Sequence, residues 1–274
     1  MVGHVEWVQF ALVAHVPVAG EVVHAHEPFE EPAGGGAVVA VQLARLAGGA
    51  AFVTALGDDE YGRRSVTRLG ELGVEVRASV LAGTPTRRAV TLVDEARERT
   101  ITTFGARLEP LGEGDTQQWS GVSQLDAIYF TAGDVSALRR ARAAARVLVV
   151  SPRARHALGH GVPLDALVLS ASDEFEASET QRVEDEAALV VRTEGAGGGR
   201  YSERAGASDT WVAAELPGEP VDSYGCGDSF AAGLTYGLGA GLALQDALAL
   251  AARCGAVCLT GRGPYERQLS AAEL

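Results

Sequence analysis

The chain has 274 residues and a mass of 28.4 kDa, enough to remove roughly 70–75 % of its extended-chain surface from water, so a small disulfide-stapled scaffold is excluded. Hydrophobic residues make up 47 % and charged ones 22 %, which excludes wholesale disorder. The 23 basic and 36 acidic residues leave a net charge of −13, which argues against nucleic-acid or anionic-membrane binding through a basic face.

An apolar stretch over 5–13 reads as a buried strand. The segment after it, punctuated by Pro17, Pro28 and Pro32, reads as a short exposed β element at 21–25. Gly34, Gly35 and Gly36 lead into a helix over 37–46. A strand over 50–56 and an amphipathic helix over 60–72, closed by Gly73, come next. Strand-like runs at 74–80, 88–94 and 100–104 make the region from about 77 to 105 a set of β ribbons. From 127 onward strands at 128–131, 147–150, 166–170 and 188–193 alternate with helices at 135–145 and 174–180. Two further helices follow, at 229–237 and 244–259. Such alternation predicts an α/β fold in one domain over 1–274, a mostly parallel central sheet with helices on both faces and a small β excursion.

The chain contains no lysine and no asparagine, so any role those residues usually fill is vacant or reassigned. Cys226, Cys254 and Cys258 are too few and wrongly spaced for a zinc site or a disulfide framework. No run is long enough to span a bilayer and the start MVGHVEWVQF lacks the basic flank of a signal peptide, so a cytoplasmic protein without a membrane partner is expected.

The segment Asp222-Ser223-Tyr224-Gly225-Cys226-Gly227-Asp228 precedes a helix. Glycines on either side of Cys226 let the backbone turn sharply and expose successive N–H groups. The helix adds its own unpaired N–H groups and the positive end of its dipole. Such a place suits a phosphate or a developing oxyanion, and Asp228 at its mouth could accept a proton from an attacking hydroxyl. A Gly-rich turn with Asp228 as helix N-cap accounts for the same residues.

The longer stretch DSYGCGDSFAAG resembles the C-terminal signature of the ribokinase/PfkB-type carbohydrate kinases. GGGAVVAVQLARLAGG and FVTALGDDEYGRRSVTRLGELGVEV are similar to the family's N-terminal signature, and TRRAVTLVDEARERTITTFGA to its lid and following strand. The matches run in family order across nearly the whole chain. The resemblance implies a ribokinase-like fold with β-lid segments over about 14–33 and 77–105. It also implies an ATP-dependent kinase acting on a hydroxyl of a sugar or sugar-like small molecule. Asp228 would be its general base, and the N–H groups of Gly225, Cys226 and Gly227 its anion hole. Thr193, Gly195 and Gly198 would hold the nucleotide, with Ala252 flanking the adenine. Asp173 and Glu176 would support Mg²⁺ through water, although an acidic first helical turn explains the same pair. Asp222 would help hold a monovalent cation, with a K⁺ requirement left open. Family members dimerise through their lids, and edges near 22–25 and 88–94 would gain from such cover.

Gly34 and Gly35 would lie against the substrate. Where the family has an Asp and an Asn that bind substrate hydroxyls, this chain has Val8 and Val39. Two valines there predict a pocket more apolar than a hexose site. A nucleoside or another partly apolar alcohol is therefore the alternative acceptor. Glu6, Gln9 and Gln42 are candidate replacements, and Arg153, just past a strand end, would touch substrate or phosphate. A kinase-fold sensor without catalysis is the remaining alternative. The glycines at 195–199 lack the full Gly-x-Gly-x-x-Gly spacing of a dinucleotide fingerprint, and no lysine exists for a Walker-type loop.

Overall fold

A computed structural model describes residues 1–114 and 117–274. Near the start lie β1 (Glu6–Leu12), β2 (His26–Ala33) and α1 (Gly35–Ala47). β3 (Ala50–Gly57), α2 (Glu60–Glu71) and β4 (Val74–Leu81) form a β-α-β unit, after which come β5 (Arg88–Val93) and β6 (Arg99–Phe104). The second half runs β7 (Leu125–Phe130), α3 (Val135–Ala144), β8 (Ala145–Val150), β9 (Leu164–Ser170), α4 (Glu174–Val183) and β10 (Ala187–Thr193). It closes with β11 (Gly199–Glu203), β12 (Ser208–Trp211), α5 (Cys226–Gly239) and α6 (Leu244–Leu259).

The strands β7, β8, β9 and β10 pair in parallel, and β11 and β12 extend that sheet antiparallel at its far edge. At the other edge Val2 bridges Val53 on β3 and Phe130 on β7, so the first residues of the chain stitch the β3–β4 pair onto the sheet. Their backbone bonds run from Val2 N–H to Tyr129 O (2.9 Å) and from Gly3 N–H to Val53 O (3.1 Å).

The strands are apolar along their whole length because both faces are covered. Tyr129, Val149, Val168 and Val191 point into the core shared with α1, α5 and α6. Their neighbours Phe130, Leu148, Leu167 and Val190 point into the core under α3 and α4. Among the described residues no helix is long and apolar enough to cross a membrane.

Four strands in the order β2-β1-β5-β6 form the lid. The opening strand predicted at 5–13 is present, but as the lid's second strand rather than as a neighbour of β7. No strand forms at 21–25. The pairing run is β2, whose Pro28 and Pro32 are tolerated because β2 is an edge strand, where a missing N–H breaks no ladder. β4 stays in the main sheet, paired with β3 from Ala50↔Val74 to Gly57↔Leu81, so the ribbon predicted from 77 onward contributes to the lid only from β5. The segment at 88–94 is β5, paired on both sides, and is not an open edge. The open edges are β2 and β6, and β6 exposes Ile101 and Phe104.

Candidate active site

Thr131, Ser151, Ser170 and Thr193 mark the ends of β7, β8, β9 and β10, where side chains of a parallel sheet face open space. They line a cleft of about 900 Å³, walled by the start of α5 and by Gly34 and Gly35, with Arg99, Ile101 and Thr103 of the lid also lining it.

The wall at α5 is built by two turns that only glycine supplies. Gly225 caps the helix at φ 84°, a left-handed conformation, and a side chain there would start 3.0 Å from Val38. Gly34 caps α1 at φ 84°. Its N–H donates to Tyr224 Oη at 3.2 Å, tying two glycine loops 190 residues apart. Asp222 holds the second loop in shape: Oδ1 accepts from Tyr224 N–H (2.8 Å) and Oδ2 from Gly263 N–H (2.9 Å). Its carboxylate is buried, and no arginine among the described residues forms an ion pair with it.

Asp228 stands in the first turn of α5, with Oδ1 3.1 Å from the point where a Gly35 side chain would begin. The helix start favours its charged form, but burial wins and pushes its carboxyl up to about 6. Arg99 and Arg153 pull the value down, while Glu176 and Glu6 push it further up. A carboxylate poised near neutrality beside free helix N–H groups can take a proton while the N–H groups receive negative charge. Of the three predicted N–H donors, Gly225 and Gly227 line the cleft. The Cys226 N–H turns back to Ser223 O at 3.4 Å.

Among the predicted contacts, Glu6, Gly34, Gly35, Arg153, Asp173, Glu176 and Thr193 all line the cleft. Gly195 and Gly198 lie outside its lining, in a closed turn where Gly198 N–H donates to Gly195 O at 3.1 Å. Ala252 is buried in α6, also outside it. Val8 and Val39 are wholly buried in the apolar core. They line nothing, and the expectation of an apolar acceptor pocket loses its basis. Gln42 is buried elsewhere, donating to Leu269 O at 2.7 Å, and Gln9 is exposed and bonded to Glu30.

Arg153 lies between the two acids expected at the metal. Its Nη2 is 2.5 Å from Asp173 Oδ2 and its Nε 2.6 Å from Glu176 Oε1. Asp173 Oδ1 also caps α4 by accepting from Glu176 N–H, and Glu176 Oε2 accepts from Ser170 N–H. Carboxylates suit a hard cation, but these two share one guanidinium, which offsets one of their two negative charges. Among the described residues no group of three or more His, Cys, Asp or Glu could hold a metal. Held by Arg153, the two acids do not fit direct ligation of Mg²⁺. Because Glu176 is nearly buried, Arg153→Met is expected to cost about 2 kcal/mol, a fall in Tm of about 4–8 °C in a thermal melt. An unchanged Tm would show the pair to be idle.

His4, Arg87, Arg99, Arg107 and Tyr129 also line the cleft and were not singled out by sequence. His4 and Glu6 carried a usable signal: two polar residues two apart inside an apolar run share one face of an extended segment. The arginines carried none, since every basic residue in this chain is arginine.

Residues 1–271 match the model of the pfkB family carbohydrate kinase. The chain is 30 % identical to a fructokinase of Salmonella typhimurium, over 87 % of this chain and 91 % of that protein. The fold matches a ribokinase of Thermotoga maritima (TM-score 0.76, 20 % identity, 99 % of this chain and 96 % of that one). It also matches a Xylella fastidiosa fructokinase with bound ATP (TM-score 0.75, 20 % identity, 99 % and 94 %). A Burkholderia thailandensis nucleoside kinase in complex with inosine matches similarly (TM-score 0.74, 18 % identity, 99 % and 94 %). A sheet-end cleft, two glycine loops tied together and a family match over almost every residue converge, and the chain belongs to the pfkB family of carbohydrate kinases, which are ATP-dependent phosphotransferases.

Proposed function

We propose that the protein moves the γ-phosphoryl group of ATP to a hydroxyl of a sugar or sugar-like small molecule, with Asp228 as general base. The observation that carries this is the Asp228 carboxylate beside Gly35, at the N-terminus of α5 and inside the cleft. The acceptor O–H gives its proton to Asp228 as its oxygen bonds to the γ-phosphorus. The bond from that phosphorus to the β–γ bridging oxygen breaks, and ADP leaves with the electron pair. Negative charge growing on the phosphoryl oxygens meets the N–H groups at Gly225 and Gly227. Thr193, at the end of β10 and in the lining of the cleft, would meet the nucleotide.

A monovalent cation such as K⁺ suits the surroundings of Asp222, a buried carboxylate with backbone N–H partners and no paired arginine. When bound it would neutralise that charge beside the anion-hole loop. Turnover is expected to be faster in K⁺ than in tetramethylammonium at equal ionic strength, and equal rates would remove the cation from the reading. A homodimer through the lid would place a second copy on the β6 edge.

The test is ATP consumption over a panel of sugars, sugar acids and nucleosides, repeated with Asp228→Asn. Asp228-dependent turnover of any acceptor supports the reading. Its absence across the panel refutes it.

A further inference from the structure

Two thiols from different helices meet beneath the glycine loop that opens α5, and the phosphoryl transfer described above uses neither sulfur. Cys226 starts α5 and is half-buried, while Cys258, near the end of α6, is buried. Their Sγ atoms share a hydrogen bond, and a second one, from Ser229, holds Cys258 Sγ in place. Each sulfur also reaches a carbonyl of the same loop: Cys226 Sγ lies 3.9 Å from Asp222 O and Cys258 Sγ 3.5 Å from Tyr224 O. A side chain on Gly225 would start 3.7 Å from Cys258 Sγ, and one on Gly255 3.3 Å from Cys226 O, so the two backbones approach closely here. The third cysteine, Cys254, lies one turn earlier in α6 and packs against Gly233 instead.

The surroundings decide where the strain of joining these sulfurs falls. Val221 N–H and Asp222 N–H donate to Leu259 O at 2.7 and 3.3 Å, which ties the loop to the end of α6. Further along, α5 and α6 run in backbone contact: side chains on Gly233 and Gly237 would start 2.8 and 2.9 Å from the Cα atoms of Ala251 and Ala247. Packed this closely, neither helix is free to shift as a body. A disulfide brings its sulfurs to about 2.05 Å, well inside the reach of a thiol hydrogen bond. The first turn of α5 and its cap must take up the difference. They carry Gly225, Gly227 and Asp228, all of which line the cleft.

We propose that Cys226 and Cys258 form a reversible disulfide, with a hydroperoxide as oxidant, that displaces the cleft end of α5 and switches the protein off. Cys226, the half-buried member, is the one a small oxidant reaches. Its sulfur loses a proton and attacks the peroxide. An S–O bond forms, the O–O bond breaks, and the other oxygen leaves with the electron pair and takes up a proton, as water or an alcohol. Cys258 then loses its proton and attacks the sulfur of the Cys226 sulfenic acid, whose oxygen leaves as water. Two thiols are oxidised and one peroxide is reduced, and an external thiol reverses the bond by exchange. The covalent step stands apart from the kinase reading, whereas its effect on turnover rests on that reading.

The test treats the reduced protein with hydrogen peroxide and reads intact mass, peptide linkage and ATP consumption over the acceptor panel. The protein is expected to lose the mass of two hydrogen atoms and to give a linked Cys226–Cys258 peptide. Its kcat should fall about 10²-fold, since the groups that meet the phosphoryl are displaced. Dithiothreitol should restore both mass and rate. Cys258→Ala, with Cys258→Ser as the variant closer in size, should stop at a Cys226 sulfenic acid that dimedone traps. Cys254→Ala should behave as the wild type. Peroxide that leaves Cys226 and Cys258 unlinked overturns the proposal, and so does a linkage that leaves turnover undiminished. A linked peptide in a protein whose reduced form turns over no acceptor upholds the disulfide and refutes the kinase reading.

Discussion

Asp228→Asn is expected to lower kcat by about 10²–10⁴-fold with ATP affinity nearly unchanged, because it deletes the proton acceptor and little else. The same carboxyl sets the pH profile. With its pKa pushed up to about 6, kcat/KM should be level above that value and fall about tenfold per pH unit below it, as the base becomes protonated. Stability should move the opposite way. An aspartate whose folded pKa is raised stabilises the fold below its unfolded value near 3.8 and loses that contribution as pH rises through about 6. The Asn variant should therefore be more stable than wild type at pH 8, by up to about 3 kcal/mol, and indistinguishable from it at pH 3. Paired melts at the two pH values measure this. A variant that keeps full turnover, or loses stability at pH 8, would remove Asp228 from the role of a buried, strained base.

Gly35→Ala is the second large effect. The new methyl would stand 3.1 Å from Asp228 Oδ1 and 3.8 Å from Thr131 Oγ1, inside the volume an attacking hydroxyl must occupy. The backbone here is not left-handed, so the fold should tolerate alanine, unlike Gly34 at φ 84°. Displacing the acceptor by a fraction of an ångström is expected to cost about 10²-fold in kcat/KM for the acceptor. Nucleotide binding by calorimetry should be preserved, since Thr193 lies at the end of a different strand. Equal loss of both would mean that the residue shapes the whole cleft and not the acceptor position.

Much of this arrangement was legible in the residues alone. Helices α1, α2, α5 and α6 and strands β7 to β10 follow from apolar periodicity, and the Gly225–Asp228 turn, which alone has an ordinary N-cap reading, stood out because the longer stretch around it resembles a carbohydrate-kinase signature. What stayed hidden depended on long-range pairing. Nothing local distinguishes β1 as a lid strand from β1 as a central one, because its partners β2 and β5 are fixed by register and not by its own sequence. The apolar positions Val8 and Val39 looked like a remodelled pocket, yet packing closes over both. The bond from Arg153 to Asp173 and Glu176 joins segments 20 residues apart in sequence, and an arginine in an all-arginine chain gives no warning of it.

Arg99, on the outermost strand of the lid, donates from Nη1 to Ser223 O at 3.1 Å and to Ser223 Oγ at 3.2 Å, in the loop that leads to α5. It is also the charge that does most to hold down the pKa of Asp228. Swinging the lid away would therefore unlatch the loop and, in the same movement, take a positive charge from the side of the carboxyl while admitting water to a group whose pKa is raised first of all by burial. Lid position and the proton affinity of Asp228 are thus tied through a single side chain.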